Sequence, residues 1–438
     1  MRTTTTPRPP QEKTSHPRES EVRSYSRKFP AVFARGRGSF LYDEDGREYL
    51  DFFCGSGALN YGHNPPALKA RLLDHIAADG LTHGLDLLTV AKREFLDALH
   101  DTVLAPRGLD HRVQFCGPTG TNAVEAALKL ARKATGRRGT VSFYGGFHGV
   151  SAGSLAVTGN LEVRASLGLD PHGTVFVPYP EGPTGSFDTL AYLERMVADS
   201  ASGNPPPAAV ILETVQSDGG VYCAPPEFLR GLRDFTRRHG IVLIVDDIFA
   251  GCGRTGEFFS FEEAGITPDL VTLSKSISGY GLPMALLLIA PELDVWAPGE
   301  HSGTFRGNQL AFVTATAALG HWSDPDFLER LTANAGTLAR FAARVTAEHG
   351  LPVRGRGLVA GVDTGDPERA RRIQQRCFQD GLVVERCGRA DEVLRVLPPL
   401  TIDEEDLARG LAVITAAISA TEATAPGSEG VGHAAHVA

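Results

Sequence analysis

No stretch of the 438-residue chain approaches the ~18 consecutive apolar residues of a membrane-spanning helix, so no span is expected. Cysteine is sparse. Cys54, Cys116, Cys223, Cys252, Cys377 and Cys387 lie far apart with no C-x-x-C, and in a chain this large that pattern predicts reduced, packed thiols and a cytoplasmic protein. The 14 histidines include no H-E-x-x-H or other metal-binding spacing, so no metal site is expected. Positive charge is outweighed: a net charge of -9 argues against a surface built to grip nucleic-acid phosphates. The opening "MRTTTTPRPPQEKTSHPRES" has basic residues but no apolar stretch behind them, unlike a secretory signal. Its Pro, Thr and charged residues read as a disordered tail over 1–20, and 421–438 reads as a second one.

What remains has an ordinary globular composition, 42% hydrophobic and 22% charged, with ample length for a sizeable core. Short apolar runs alternate with helical patterns, which predicts an α/β fold on a mostly parallel sheet. The candidate strands are 113–115, 140–144, 208–213, 241–246 and 269–274. "NAVEAALKLARKAT" carries apolar residues at 124, 127, 128 and 131, one helical face; "PPEFLRGLRDFTRRHG" repeats the pattern and stops at Gly240. A smaller unit is expected from residues 21–75 and 325–420, with 76–324 forming the large domain.

The stretch "IVLIVDDIFAGCGRTG" holds a full G-x-G-x-x-G, Gly251 to Gly256. A nicotinamide fold needs that motif to be the strand-to-helix turn itself. Here "DDIFA" intervenes after the strand, and Gly265 and Pro268 break the stretch where the helix would run. The glycines read better as a loop shaping a pocket wall. The aspartates carry more information. Three apolar runs end on chemically able residues: Glu213, Asp246 and, one step on, Lys275, the only lysine after Lys133. Ligands of open α/β sheets collect beyond the carboxyl ends of the strands.

"FCGPTGTNAVEAALKLAR" runs strand, glycine-rich turn, helix, with Asn122 expected as N-cap and Glu125 completing a capping box. The free amides of Gly120 and Thr121 at that helix start suit a phosphate. "FHG", Phe147 to Gly149, offers an aromatic face. A lysine, a buried carboxylate and a phosphate cradle together are what pyridoxal phosphate requires.

In order, "GPTGTNAVEAALKLAR", "FHG", "ETVQ", "LIVDDIFAGCGRTG", "LSKSISGYGLP", "SGTFRGN" and "RGRGL" resemble the class III (ω-amino acid) aminotransferases of fold type I, over roughly residues 20–420. "SEVRSYSRKFP", "YDEDGREYLDFFCGSGALNYGHNPP" and "PGEHSGTFRGN" look like the diaminobutyrate–2-oxoglutarate branch known from ectoine biosynthesis. The resemblance implies a large domain with a seven-stranded-type sheet, a smaller α+β domain and pyridoxal 5'-phosphate as cofactor. It implies that Lys275 bonds the cofactor and moves the proton, and that Asp246 pairs with the pyridine N–H. Gly120 and Thr121 would hold the phosphate, joined by Thr304 of the neighbouring subunit in a homodimer or larger homo-oligomer. Phe147 and Ile248 would sandwich the ring, with His148 beside them. Arg395 matches the arginine that grips a substrate α-carboxylate. Glu213 matches a carboxylate that can pair with that arginine when a carboxylate-free end occupies the site. The reaction implied is amino transfer from L-glutamate to L-aspartate 4-semialdehyde, giving L-2,4-diaminobutyrate and 2-oxoglutarate. Alternatives are another amino-aldehyde, keto acid or terminal amine, a racemase, or a non-catalytic scaffold. Two departures stand out: Phe249 where the family usually has Gln, and Ser217-Asp218 where it has Gly-Glu.

Overall fold

The computed structural model describes residues 18–422 and His16, apart from 166–167 and 169–172. The tails expected at 1–20 and 421–438 lie almost wholly outside the described residues; Thr421 and Glu422 complete the last helix.

Seven strands form the central sheet: β1 (Arg112–Phe115), β2 (Thr140–Phe143), β3 (Thr174–Val177), β4 (Ala209–Leu212), β5 (Val242–Asp246), β6 (Leu270–Leu273) and β7 (Leu286–Ile289). Their spatial order is β1-β7-β6-β5-β4-β2-β3. β5 pairs in parallel with β4 and β6, and β2 with β3 and β4, while β7 runs antiparallel to β6 and β1. All five strands expected from the apolar runs are present, each within one residue at either end. β4 and β5 are buried along their whole length, which is why they read as continuous apolar runs instead of alternating ones. β3 and β7 are the two additions. β7 follows β6 after residues 274–285, whose only helical piece is the 3-10 turn Lys275–Ser278, with no helix to cross over the sheet, and it returns antiparallel.

Helix α1 (Gly120–Thr135) lays Ala123, Val124, Ala127, Leu128 and Ala131 on the sheet and ends at Gly136, φ 67°. Its start corrects the sequence reading. Thr119, in extended conformation, is the N-cap, and Asn122 is the third residue of the helix. Asn122 Oδ1 accepts from the Thr119 amide (3.3 Å) and hydroxyl (2.9 Å). The box is therefore Thr119/Asn122, of the kind that stabilises a helix by about 1 kcal/mol. Glu125 instead accepts from Ser151 Oγ (2.5 Å) and the amides of Gly153 and Ser154. Helix α2 (Pro226–His239) buries Phe228, Leu232 and Phe235 and stops at Gly240, φ 59°, as its pattern predicts.

The GCGRTG loop opens no helix; the next helical turn is a short 3-10 segment, Glu262–Ala264. Arg254 within it is wholly buried and donates from Nη1 to the carbonyls of Leu358 (2.8 Å) and Pro398 (2.6 Å) and from Nη2 to Asn60 Oδ1 (2.6 Å). The loop is a clamp joining distant parts of the chain, which removes the dinucleotide reading.

A second sheet, β8 (Val353–Arg356), β9 (Val359–Asp363), β10 (Glu385–Cys387) and β11 (Val393–Val396), is antiparallel in the order β8-β9-β11-β10. Strands Phe33–Arg37, Phe40–Asp43 and Glu48–Asp51 form a third sheet with Leu382–Val383. Helices Pro325–His349 and Glu404–Glu422 pack Phe327, Leu331, Leu338 and Ile414 against Leu394 and Val396 of β11. That packing fixes Arg395, on the opposite face of β11, toward the central sheet.

Candidate active site

The carboxyl ends of β2, β4, β5 and β6 converge on a cavity of about 170 Å³. Gly120, Thr121, Phe147, His148, Glu213, Asp246, Ile248 and Lys275 all line it, joined by Gly149, Ser217, Asp218 and Phe249. Eight of the ten residues singled out from the sequence thus meet at one place.

Asp246 ends β5. Its Oδ2 accepts from His148 Nδ1 (2.7 Å), and its Oδ1 from Thr272 Oγ1 (3.0 Å) and the Ile248 amide (3.3 Å). Thr272 is its direct neighbour in the β5/β6 register. Burial alone would lower the His148 pKa, but the hydrogen bond and charge of Asp246 outweigh it and raise it. The carboxyl group of Asp246 is thus held by an imidazole, a hydroxyl and a backbone amide in a low-dielectric site, where each hydrogen bond is strengthened.

Lys275 follows β6 in the left-handed region, φ 51°. The residue is half-buried, and desolvation of its amine pulls the pKa down from the ordinary lysine value. Nζ lies 5.1 Å from the centroid of the Phe249 ring, and Arg395 Cζ lies 5.5 Å from the same ring. The Phe249 ring is thus in reach of both the amine and the guanidinium and offers each only a π face.

Glu213, just past β4, is buried, which pushes its pKa up to about 8. It accepts from the Phe147 amide (2.9 Å) and the Ser217 amide (3.4 Å). It is not bonded to Arg395, the partner the resemblance gives it when a carboxylate-free end occupies the site. Arg395 Nη1 donates to Asp218 Oδ1 (2.8 Å) and Ser217 Oγ, and Nη2 to Ser56 Oγ (3.0 Å) and Glu385 Oε2. The reason is topological: Glu385 is the direct partner of Arg395 in the β10/β11 register, and Asp218 is the more exposed carboxylate, 46% accessible in its side chain. Burial alone would lower the Arg395 pKa; Glu385 and Asp218 raise it instead. Asp218 was visible in the sequence as half of the Ser-Asp departure, whereas Glu385 carried no motif.

Thr304 lies outside the cavity. It is exposed, and its carbonyl accepts from His83 Nε2 (2.9 Å).

The donor set suits pyridoxal phosphate. The first-turn amides of α1 have no acceptor within the helix. A Cβ at Gly120 would stand 2.9 Å from Ile248 Cδ1, and one at Gly149 would stand 2.5 Å from Thr121 Oγ1, so the cradle is open only because both are glycine. An amine and a hydrogen-bonded carboxylate stand at the ends of adjacent parallel strands on the same cavity.

Comparison with known proteins agrees. The family model for class III aminotransferases matches residues 22–418. The diaminobutyrate–2-oxoglutarate transaminase of Nocardia farcinica is 55% identical over 91% of this chain and 92% of its own. That of Bordetella bronchiseptica is 53% identical over 92% and 93%. Among solved structures, the ornithine aminotransferase of Toxoplasma gondii superposes with a TM-score of 0.80 at 26% identity, covering 92% of this chain and 93% of its own. The N-acetylornithine aminotransferase of Stenotrophomonas maltophilia superposes at 0.72 and 29% identity, covering 90% and 97%. With the fold, the pocket and these relatives in agreement, the chain belongs to the class III aminotransferases, enzymes that depend on pyridoxal phosphate.

Proposed function

We propose that the enzyme transfers the amino group of L-glutamate to the aldehyde of L-aspartate 4-semialdehyde, giving L-2,4-diaminobutyrate and 2-oxoglutarate. The observation that carries the substrate choice is that relatives more than half identical along nine-tenths of both chains bear the name diaminobutyrate–2-oxoglutarate transaminase.

Pyridoxal phosphate, when bound, supplies the electron sink that lets a substrate carbon give up its proton. The amides of Gly120 and Thr121 would hold its phosphate, Phe147 and Ile248 would flank its ring, and Asp246, oriented by His148 and Thr272, would keep a proton on its ring nitrogen. Lys275 would bond it and, once displaced by substrate, act as the base that takes the proton from the reacting carbon and returns it. The lowered pKa of Lys275 favours that role, because a base must be neutral to accept. Arg395 would bind the substrate carboxylate that comes to replace Asp218, and Asp218 would return to the arginine when the neutral aldehyde end is in place. This assigns to Asp218 the role the sequence reading gave to Glu213. Glu213, largely protonated at neutral pH, would stay with the Phe147 backbone and hold the ring-flanking segment.

The active unit would be a homodimer in which Thr304 completes the partner's phosphate site. The exposed apolar side chains Leu81, Leu85, Leu87, Leu88 and Phe305 support this, since His83 joins their two segments into one surface. The large domain would be 76–324 and the small one 21–75 with 325–420. A cytoplasmic location accords with six free cysteines; among the described residues no helix is long and apolar enough to cross a membrane.

The test is the visible spectrum of the purified, cofactor-loaded protein. L-glutamate is expected to bleach the band, and aspartate semialdehyde to restore it. A band that glutamate leaves unchanged overturns the donor, and restoration only by other aldehydes overturns the acceptor.

A further inference from the structure

A second cavity, of about 480 Å³, adjoins the first and shares Phe147 and Asp218 with it as walls. It carries two arginines, Arg164 and Arg389. Arg164 is laid over the Phe176 ring, its guanidinium carbon 4.6 Å from the centroid. Arg389 is different. It sits on the turn that joins β10 to β11, and the turn is fixed by its backbone. The Gly388 amide donates to the Asp218 carbonyl (3.0 Å), and the amides of Arg389 (3.3 Å) and Ala390 (2.7 Å) donate to the Glu392 carboxylate. The guanidinium reaches over glycines: Nη2 stands 3.7 Å from where a Cβ on Gly145 would be and 3.9 Å from one on Gly182. It makes no hydrogen bond or ion pair among the described residues.

One hairpin therefore presents two arginines to the same carboxylate-bearing segment. Both Nη atoms of Arg395 are engaged, by Asp218, Glu385, Ser217 and Ser56; Arg389 is open to the adjoining cavity, which Asp218 also lines. A substrate whose reacting end bears no carboxylate leaves Arg395 to Asp218, whereas glutamate brings one carboxylate to Arg395 and a second one beyond it. A dicarboxylate needs a second cation, and a planar guanidinium binds a carboxylate with paired, charge-assisted hydrogen bonds.

We propose that Arg389 is a specificity-determining residue that binds the second carboxylate of the dicarboxylic amino donor and of its keto-acid product. The inference rests on the reading of glutamate as donor. It makes the second cavity the place where the donor's distal end lies.

The experiment is calorimetric titration of the holoenzyme with glutarate, which has both carboxylates and nothing that can react, and with butyrate, which has one. Glutarate is expected to bind wild type more tightly than butyrate. Arg389→Gln should weaken glutarate about tenfold or more and change butyrate less than about twofold, with Arg389→Lys in between, as loss of a charge-assisted hydrogen bond requires. In steady state the KM for 2-oxoglutarate should rise with little change in kcat. Equal glutarate affinity in wild type and Arg389→Gln overturns the proposal, as does wild type that binds glutarate no better than butyrate. If glutamate bleaches the wild-type band yet Arg389→Gln binds glutarate normally, only the Arg389 assignment fails. If glutamate does not bleach it, the donor reading fails and this inference falls with it.

Discussion

His148 Nδ1 donates to Asp246 Oδ2 at 2.7 Å, with both side chains buried. The pair links the segment after β2 to the end of β5, so the two walls of the cofactor cavity are positioned by one charge-assisted bond. His148→Asn keeps a polar group but removes the imidazole, leaving a buried carboxyl group with only Thr272 and the Ile248 amide. The expected cost is about 1.5–3 kcal/mol, the usual worth of a hydrogen bond to a charged group. Part should appear as lower thermal stability and part as weaker cofactor retention on gel filtration. Asp246→Asn, which removes the charge itself, should lower kcat by about 100-fold or more, as loss of a preorganised electrostatic group does. Equal cofactor retention in His148→Asn and wild type would show that the pair has no part in the site.

In the proposed function Asp218 competes with substrate for Arg395, to which it is bonded at 2.8 Å. Because its side chain is nearly half exposed, the pair is worth no more than about 1 kcal/mol. Asp218→Ala should therefore lower the KM for glutamate by up to about fivefold, while the aldehyde half-reaction slows because Arg395 is left without its movable partner. Measuring the two half-reactions separately, by single-turnover absorbance, checks the opposite signs. A variant that slows both equally would make Asp218 a merely structural residue.

Burial raises the Glu213 pKa from 4.5 to about 8 in the folded state. Between these values the folded chain holds a proton that the unfolded chain has lost. Stability contributed at this site is therefore highest at low pH and falls as pH rises from about 4.5 to about 8. Asp247, raised to about 7 by burial, acts in the same direction at slightly lower pH. Glu213→Gln is neutral at every pH. It should gain stability relative to wild type as pH rises from about 5 to about 8, and denaturant melts across that range would show it. A constant difference between the two proteins would mean that Glu213 is not protonated in the fold.

The cavity was legible in the sequence because parallel strands advertise themselves. Runs ending at Glu213, Asp246 and Lys275 could be recognised one at a time, and sheet topology alone then places their ends together. Three features were not legible. Asn122 reads as an N-cap because residue type marks a cap but not which of two nearby polar residues fills it; the extended Thr119 backbone decides. Glu385 as the partner of Arg395 depends on an antiparallel register that pairs residues ten apart in sequence, which no local pattern announces. Arg389 sits on a turn among other charged residues, and only the fold reveals that its guanidinium faces a cavity.

Gly120 gives the last test, because its requirement is steric and its remedy is known. In an ordinary helix start, alanine would replace glycine with a gain of up to about 1 kcal/mol. Here the added Cβ would lie 2.9 Å from Ile248 Cδ1 and 3.1 Å from its Cγ2. Ile248 itself lines the cavity where the ring is proposed to bind, so displacing it disturbs that space. Gly120→Ala should leave apoprotein stability equal or slightly higher while weakening pyridoxal phosphate binding about tenfold, read by fluorescence titration of the apoprotein. Ile248→Val removes Cδ1, the nearer obstacle, so the double variant should recover most of the lost affinity. Recovery would tie the glycine of α1 and the residue after Asp247 to a single cofactor space. Loss of affinity without recovery would mean instead that Gly120 is needed for its own backbone approach to the phosphate.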